Sequence, residues 1–126
     1  MSTNEVPARV ATVERTTGET DIRLTLSIDG NGTSELETGV PFLDHIARHS
    51  GFALAGACTG DVEMDPHHTV EDVGIVFGQA LKASIGTRAG IVRYGYAYAP
   101  LDEALARVVV DFSGRPYVHF EAAMPE

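Results

Sequence analysis

A repeat within the chain is the sequence feature that most restricts the folds it can adopt. The 126 residues align with themselves without a gap at a shift of 84 residues, the offset that places Glu19 on Glu103. The other matched pairs are Arg23 with Arg107, Leu24 with Val108, Leu26 with Val110, Ile28 with Phe112, Gly30 with Gly114, Glu37 with Glu121 and Pro41 with Pro125. A constant register is typical of a duplicated supersecondary unit. The sequence therefore predicts two copies of one unit, and the second stops where the helix after Pro41 begins in the first.

Alternating residues predict a β-hairpin near the start of the chain. In residues 21–28 every second side chain is apolar, namely Ile22, Leu24, Leu26 and Ile28. Strict alternation indicates a strand with one buried face. Residues 10–16 alternate more weakly, and Thr17-Gly18-Glu19 separates the two runs, as in a hairpin.

A change of period marks the most regular predicted helix. Apolar or small side chains recur at helical spacing, at Val73, Val76, Phe77, Ala80, Leu81 and Ser84, and Gly86 follows where a helix would be capped. The other predicted elements are a helix after Pro41 and strands at 52–58, 61–64, 94–99, 104–112 and 117–121. These elements predict the α+β class, with residues 1–90 as the first repeat and residues 91–126 as the start of an incomplete second one.

Composition excludes several classes of partner. Hydrophobic residues make up 44% and charged residues 21% of the chain, as in a globular rather than a disordered protein. The formal net charge of −9 argues against nucleic acid and anionic membranes as partners, so a phosphate would have to be bound by local groups. Cys58 is the only cysteine, which excludes an intrachain disulfide and a thiolate metal cluster. In the absence of a long apolar segment, the chain is expected to be cytoplasmic.

The densest group of potential metal ligands lies in residues 65–72, Asp-Pro-His-His-Thr-Val-Glu-Asp. If the helix begins near Thr69, Glu71 follows His67 by four residues and His68 by three, so imidazole and carboxylate groups can meet within one turn. Neighbouring histidines point in different directions, so His67 and His68 are expected to serve two metal ions, or two faces of one site, rather than to chelate one ion side by side. Nitrogen and oxygen donors without sulfur suit manganese, zinc or iron(II).

Structural roles are the alternative for the acids of this segment. Asp65 or Thr69 could cap the helix, while Glu71 and Asp72 would favour the positive end of its dipole. Capping and metal binding are compatible, so both interpretations stay open.

A weaker candidate lies at Phe42-Leu-Asp-His45, where Asp44 could orient a neighbouring group while His45 binds metal. His49 follows one turn later on the same face and could be packed or exposed. His119 sits in an apolar run without an adjacent acid, so it is interpreted as structural or exposed.

Five separated motifs follow one another along the chain: Gly39-Val-Pro-Phe-Leu-Asp-His45, His67-His-Thr-Val-Glu-Asp72, Gly78-Gln-Ala-Leu81, Leu101-Asp-Glu-Ala-Leu105 and Ser113-Gly-Arg-Pro-Tyr117. Together they resemble the imidazoleglycerol-phosphate dehydratases of histidine biosynthesis, and the resemblance runs from about Arg9 to Tyr117. The resemblance implies a tandem repeat of a βα half, like the second domain of ribosomal protein S5, each half a mostly antiparallel sheet with helices on one face. It also implies two Mn²⁺ ions at sites shared between subunits of a large homo-oligomer, a 24-mer in the family.

The resemblance implies roles for individual residues. The residues that match metal ligands are His45, His67, His68 and Glu71. Glu19 matches a glutamate that contacts substrate, so Glu19 and Glu71 are the expected catalytic residues. Arg93 and Arg115 match arginines that bind phosphate, for which the guanidinium fork is well suited.

The implied reaction removes water from imidazole glycerol phosphate to give imidazole acetol phosphate. The departing proton is not acidic, so metal ions on the imidazole would make it an electron sink while Glu19 moves a proton. Arg93 and Arg115 would hold the phosphate, and no organic cofactor is needed. Two alternatives remain: a metal-binding or assembly module of the same fold without catalysis, and a small metallohydrolase that activates water with the same residues.

The sequence departs from the family pattern in two places. The helix after His45 is shorter by about four residues, or one turn, so its apolar face returns nearly in phase but a substrate-contacting glutamine is missing. The family's later histidines, its second His-His-x-x-Glu motif and a phosphate-binding lysine would lie beyond Glu126. Half of each metal shell is therefore expected outside this chain.

Overall fold

The computed structural model describes residues 9–123, and the chain divides into two compact units, Met1–Gly86 and Thr87–Glu126. The described part of the first unit forms β1 (Val10–Thr16), β2 (Thr20–Ser27), β3 (Ser34–Glu37), α1 (Pro41–His49), β4 (Ala53–Gly60) and α2 (His67–Ile85). In the second unit the described strands are β5 (Tyr94–Leu101) and β6 (Ala104–Asp111). The α+β class predicted from the sequence is confirmed.

The first unit is built on a four-stranded sheet in the order β1-β2-β4-β3. The pairs β1–β2 and β2–β4 are antiparallel, whereas β3 and β4 are parallel. Parallel neighbours need a crossover connection, and α1 provides it between β3 and β4. Strand β4 ends at Gly60, so only the short segment 61–66 separates the sheet from the start of α2.

The alternating residues of β2 form the centre of the core. Ile22, Leu24 and Leu26 are buried, and Ile28, just beyond the end of the strand, is half-buried. Helix α2 covers them with a buried stripe made of Val73, Val76 and Ala80, as its spacing predicts. Burial of each large aliphatic side chain contributes about 1.5–3 kcal/mol, so this contact fixes α2 on the sheet. In the described part of the chain, neither helix combines the length and apolar character needed to cross a bilayer.

The hairpin of the second unit repeats the register of the first. Every cross-strand pair of β1 and β2 reappears 84 residues later between β5 and β6, so that Val10–Ser27 corresponds to Tyr94–Asp111. The backbone hydrogen bond at the open end also repeats, from Ile28 N–H to the Arg9 carbonyl and from Phe112 N–H to the Arg93 carbonyl. The repeat detected in the sequence therefore corresponds to two hairpins of identical pairing.

Two predicted strands are wrong, and one strand was not predicted. Residues 61–64 form a turn, because the backbone N–H groups of Met64 and Asp65 both donate to the Asp61 carbonyl, at 2.9 and 3.2 Å. Residues 117–121 belong to neither sheet. Strand β3 has only four residues and pairs with β4, which lies well beyond it in the chain, so local alternation does not reveal it.

Candidate metal and substrate site

Three of the predicted metal ligands lie at the start of α2. The helix begins at His67 rather than near Thr69, so that His68 and Glu71 also fall at its N-terminal end. The Asp65 side chain accepts a hydrogen bond from the His67 backbone N–H at 2.7 Å, which satisfies one of the amides left unpaired at a helix start. Thr69 lies within the helix rather than at its start, and its side chain is buried. Of the two capping residues considered, Asp65 is the one that bonds the end of the helix.

His67 and Glu71 form a pair on the surface of α2. Their Nε2 and Oε2 atoms lie 3.0 Å apart, which is the contact that a separation of four residues predicts on a helix. The two side chains are 69% and 55% exposed, so a dissolved ion can reach both. An imidazole nitrogen beside a carboxylate oxygen is a suitable two-donor set for a divalent cation.

A second pair joins His68 to Asp61, a residue that the sequence motifs do not single out. His68 Nδ1 lies 2.8 Å from Asp61 Oδ2, and the hydrogen bond raises the pKa of the imidazole above its usual value. The negative charges of Asp61, Glu19 and Glu71 raise this pKa further, while desolvation lowers it. A carboxylate bonded to one ring nitrogen fixes the tautomer and orientation of a histidine and leaves the other nitrogen for a ligand.

The position of Asp61 explains why this pair is invisible in the sequence. Asp61 precedes His68 by seven residues, and only the turn at 61–65 brings its carboxylate back to the helix. Its second oxygen, Oδ1, is buried without a hydrogen-bond partner among the described residues. An acid directly after a strand that ends in glycine is the only sequence signal that could have suggested it.

Replacing Asp61 with asparagine should lower the pKa of His68. The carboxylate stabilises the charged imidazolium, and asparagine keeps the side-chain size while removing the negative charge. We expect the titration midpoint of the His68 ring, followed by NMR, to fall relative to the unsubstituted chain. Asp65→Asn is the matched control, because Asp65 bonds the His67 backbone and not the His68 ring. An unchanged midpoint in Asp61→Asn would mean that the two side chains are not bonded in solution.

The fourth predicted ligand, His45, lies on α1. Its ring packs against those of His49 and Phe42, with centroid distances of 4.6 and 6.4 Å. Asp44 orients Thr38, since its Oδ1 accepts hydrogen bonds from the Thr38 N–H at 3.0 Å and the Thr38 hydroxyl at 2.7 Å. Within the described part of the chain, no three histidine, cysteine, aspartate or glutamate side chains converge closely enough to hold a metal ion. In the described part of one chain, potential metal ligands therefore come together only in pairs. The role of His45 as a metal ligand stays a prediction.

The donors that are present fit a divalent cation as partial ligand sets. Both pairs offer imidazole nitrogen and carboxylate oxygen, the types that suit Mn²⁺, Zn²⁺ and Fe²⁺. Cys58 is buried and burial raises the pKa of its thiol, so it does not add a thiolate donor. A cation held by His67 and Glu71 would keep most of its coordination positions for water, substrate or donors from elsewhere.

Glu19 is exposed in the turn between β1 and β2. Its Oε2 atom accepts a hydrogen bond from the Thr17 hydroxyl at 3.3 Å, and the Thr17 oxygen in turn accepts the backbone N–H groups of Glu19 and Thr20 at 3.2 and 3.1 Å. The Glu19 charge is one of the causes that raise the pKa of His68. Its carboxylate is therefore close enough to the start of α2 for its charge to act there.

In the second unit, the predicted phosphate ligand Arg93 is bound to Asp111. The Arg93 Nε and Nη2 groups donate to the two carboxylate oxygens at 2.6 and 3.0 Å. This bond raises the pKa of Arg93 and lowers that of Asp111, and the charge of Arg115 lowers the pKa of Asp111 further. The bidentate contact uses two of the three guanidinium nitrogens, so Arg93 Nη1 can still bind an anion.

Comparisons with known proteins agree with these motifs. The family model described as imidazoleglycerol-phosphate dehydratase matches residues 38–126. The imidazoleglycerol-phosphate dehydratase of Salinibacter ruber is 53% identical over 98% of this chain and 63% of its own length, and that of Magnetococcus marinus is 56% identical over 94% and 62%. The crystal structure of the Staphylococcus aureus dehydratase aligns with a TM-score of 0.70 and 40% identity, covering 93% of this chain and 66% of that one.

The extent of these matches decides what they establish. The chain spans about three fifths of the length of the curated relatives it matches. The family model nevertheless covers well over half of the 126 residues, including α1, α2 and both strands of the second unit. On that match, this chain belongs to the imidazoleglycerol-phosphate dehydratase family.

Proposed function

We propose that this chain carries part of the active site of an imidazoleglycerol-phosphate dehydratase, which removes water from imidazole glycerol phosphate to give imidazole acetol phosphate in histidine biosynthesis. The observation that carries the proposal is the paired arrangement at the start of α2. His67 Nε2 lies 3.0 Å from Glu71 Oε2, and His68 Nδ1 lies 2.8 Å from Asp61 Oδ2. The substrate follows from the relatives, which are named as dehydratases of imidazoleglycerol phosphate.

The ligands of the proposed metal ions are His67, His68 and Glu71, with His45 as the fourth. We propose Mn²⁺ as the metal and two ions per complete site. When bound, such an ion acts as a Lewis acid that draws electrons from the imidazole of the substrate. Asp61 holds the His68 ring through Nδ1, so that Nε2 is the nitrogen left for a ligand.

Proton transfer is assigned to Glu19. Dehydration breaks one C–H and one C–O bond, so one group must accept a proton from carbon and one must protonate the departing hydroxyl. Glu19 is an exposed carboxylate whose charge acts on His68, and it can exchange a proton with a substrate bound beside that residue. Glu71 is the second proposed catalytic residue. It would act as a metal ligand beside His67, with which it forms a pair.

Arg93 and Arg115 are the proposed phosphate ligands. A net charge of −9 repels a phosphorylated substrate, so cationic groups must bind it locally. Asp111 fixes the Arg93 guanidinium by two hydrogen bonds, which reduces the entropy lost when its third nitrogen binds an anion.

We further propose that the enzyme works as a large homo-oligomer in the cytoplasm. Each ligand pair described above fills only part of a coordination shell. Donors from another copy, or from another part of the protein, would complete it. The proposed chemistry therefore requires such an assembly.

A second candidate function is a metal-binding or assembly module without catalysis. The absence of any three converging metal-binding side chains among the described residues favours it. Such a module would bind Mn²⁺ yet leave imidazole glycerol phosphate unchanged. Formation of imidazole acetol phosphate by the assembled protein, lost on chelation and regained with Mn²⁺, separates the two functions.

Weak binding of Mn²⁺ by the 126-residue chain should depend on the start of α2. We expect Glu71→Gln and His67→Ala each to weaken the binding, measured by the electron paramagnetic resonance signal of free Mn²⁺, because each removes half of one donor pair while the pair of His68 and Asp61 stays intact. His119→Ala is the matched control, since His119 forms a similar exposed pair with Glu121 at 3.1 Å but lies outside the motif. Equal losses in all three variants would mean that Mn²⁺ binds any exposed histidine and glutamate pair.

A further inference from the structure

Asp72 is a buried carboxylate that the proposed reaction does not use. Its residue is only 8% exposed, and it is the only buried acid in the described part of the chain. The Thr20 hydroxyl donates to Asp72 Oδ2 at 2.6 Å, and Arg15 Nε lies 3.4 Å from Asp72 Oδ1. Burying a charge without need is unfavourable, and an apolar side chain of similar size is often at least as stable. Packing alone therefore does not explain why a carboxylate is buried at position 72.

The hydrogen bonds around Asp72 have a defined direction. An ionised carboxylate only accepts, so the single hydroxyl proton of Thr20 goes to Asp72. In the contact between the Thr17 and Thr20 hydroxyls, at 3.2 Å, Thr17 must then be the donor, and it shares its one proton with the Glu19 Oε2 atom at 3.3 Å. The same Thr17 oxygen accepts the backbone N–H groups of Glu19 and Thr20. The turn is thus tied to Asp72 through two hydroxyl groups in series.

Both ends of this series lie next to proposed catalytic residues. Thr20 directly follows Glu19, and Asp72 directly follows Glu71. Thr20 is 3% exposed, so water cannot readily replace its bond to Asp72. We infer that Asp72 is a positioning residue, which holds the Glu19 turn against the first turns of α2 and so fixes the Glu19 carboxylate relative to Glu71. The catalytic role of Asp72 rests on the proposed function, whereas its structural role in holding the Glu19 turn against α2 does not.

Removal of the Thr20 hydroxyl tests the link directly. Valine keeps the shape and the β-branched character of threonine but cannot donate to Asp72. In Thr20→Val we expect amide hydrogen exchange at Glu19 and residue 20, measured by NMR on the 126-residue chain, to accelerate about tenfold while the buried β2 amides of Leu24 and Leu26 change little. Thr20→Ser retains the hydroxyl and should restore slow exchange.

Other outcomes of this experiment overturn the inference. If exchange at the two turn amides is unchanged in Thr20→Val, Asp72 does not hold the turn. If exchange rises equally along the whole of β2, the bond contributes only to global stability. Should Thr20→Val fail to fold, Asp72→Leu allows the same comparison, because leucine is close in size and removes both the oxygen that accepts from Thr20 and the oxygen that faces Arg15. Slow exchange at Glu19 and Thr20 in that variant would reject the role.

The catalytic consequence is measured in the assembled enzyme. We expect Thr20→Val to lower kcat about tenfold with KM changed less than about twofold, since Glu19 would be misplaced while the groups that bind the phosphate are intact. Thr20→Ser should recover most of kcat. A rise in KM at constant kcat would contradict the positioning role. If the unsubstituted assembly forms no imidazole acetol phosphate, the proposed function fails, and the exchange experiment still decides whether Asp72 holds the turn.

Discussion

A polypeptide of these 126 residues should dehydrate imidazole glycerol phosphate at roughly a thousandth or less of the rate reached after a polypeptide with a second His-His-x-x-Glu motif is added. In the described part of the chain the metal-binding side chains converge only in pairs, such as His67 with Glu71. A cation held by one pair would exchange readily and would not be fixed against the substrate imidazole. A thousandfold loss corresponds to about 4 kcal/mol of transition-state stabilisation, which is a reasonable cost for an incomplete metal shell.

Substitutions in the motif at His67–Asp72 should abolish the dehydratase activity that the second polypeptide restores. We expect Glu71→Gln or His68→Ala to lower the rate of imidazole acetol phosphate formation in the mixture by about a hundredfold or more, because each removes a proposed metal ligand. His119→Ala provides the control, since His119 lies outside the motif and contacts Glu121. Full activity of the 126-residue polypeptide without a partner would contradict the account of an incomplete site. Tight Mn²⁺ binding without dehydration in the mixture would favour the assembly module. It would also indicate that the shortened helix α1, which lacks the substrate-contacting glutamine of the family, prevents the reaction.

The parts of the fold that the sequence predicts are those encoded by local periodicity. The alternation of Ile22, Leu24 and Leu26 predicts β2 and its buried face, and the constant shift predicts that β5 and β6 repeat the pairing of β1 and β2. Each of these features depends on side chains a few residues apart. The same is true of α2, whose buried stripe recurs at the helical period.

The parts that the sequence misses depend on partners distant in the chain or on local turns. Strand β3 exists because β4 pairs with it in parallel, and its four residues carry no apolar alternation of their own. Residues 61–64 resemble a strand in composition, but two backbone hydrogen bonds to the Asp61 carbonyl close them into a turn. Residues 117–121 have strand-like side chains but join neither sheet, which shows that pattern alone does not supply a partner.

The same distinction applies to the candidate site. The spacing of four residues predicts the contact between His67 and Glu71, because helix geometry alone brings them together. The contact of His68 with Asp61 could not be predicted in this way, since it depends on the turn after β4. The spacing of His45 from the motif at His67–Asp72 likewise says nothing about distance, because the two lie on different helices.

Substitution of Gly56 by alanine should cause the largest loss of stability of any single methyl group added to the first unit. Gly56 lies in the middle of β4, where it pairs with Leu24 on one side and Leu36 on the other. Its φ of +147° is unfavourable for an L-residue, and a Cβ there would collide with the Arg23 backbone carbonyl. Backbone atoms cannot rotate away as a flexible side chain can, so β2 and β4 would have to separate locally.

We expect Gly56→Ala to lower the free energy of unfolding of the 126-residue chain by about 3 kcal/mol or more, and the melting temperature by roughly 10 °C or more. Gly78→Ala is the matched control. Gly78 is an exposed residue of α2, and a methyl group added to it would meet no atom within 4 Å, so alanine should stabilise the helix by about 0.5–1 kcal/mol. Urea unfolding followed by circular dichroism measures both. A Gly56→Ala chain as stable as the unsubstituted one would mean that β2 and β4 do not approach as closely as the register of Leu24 with Gly56 requires.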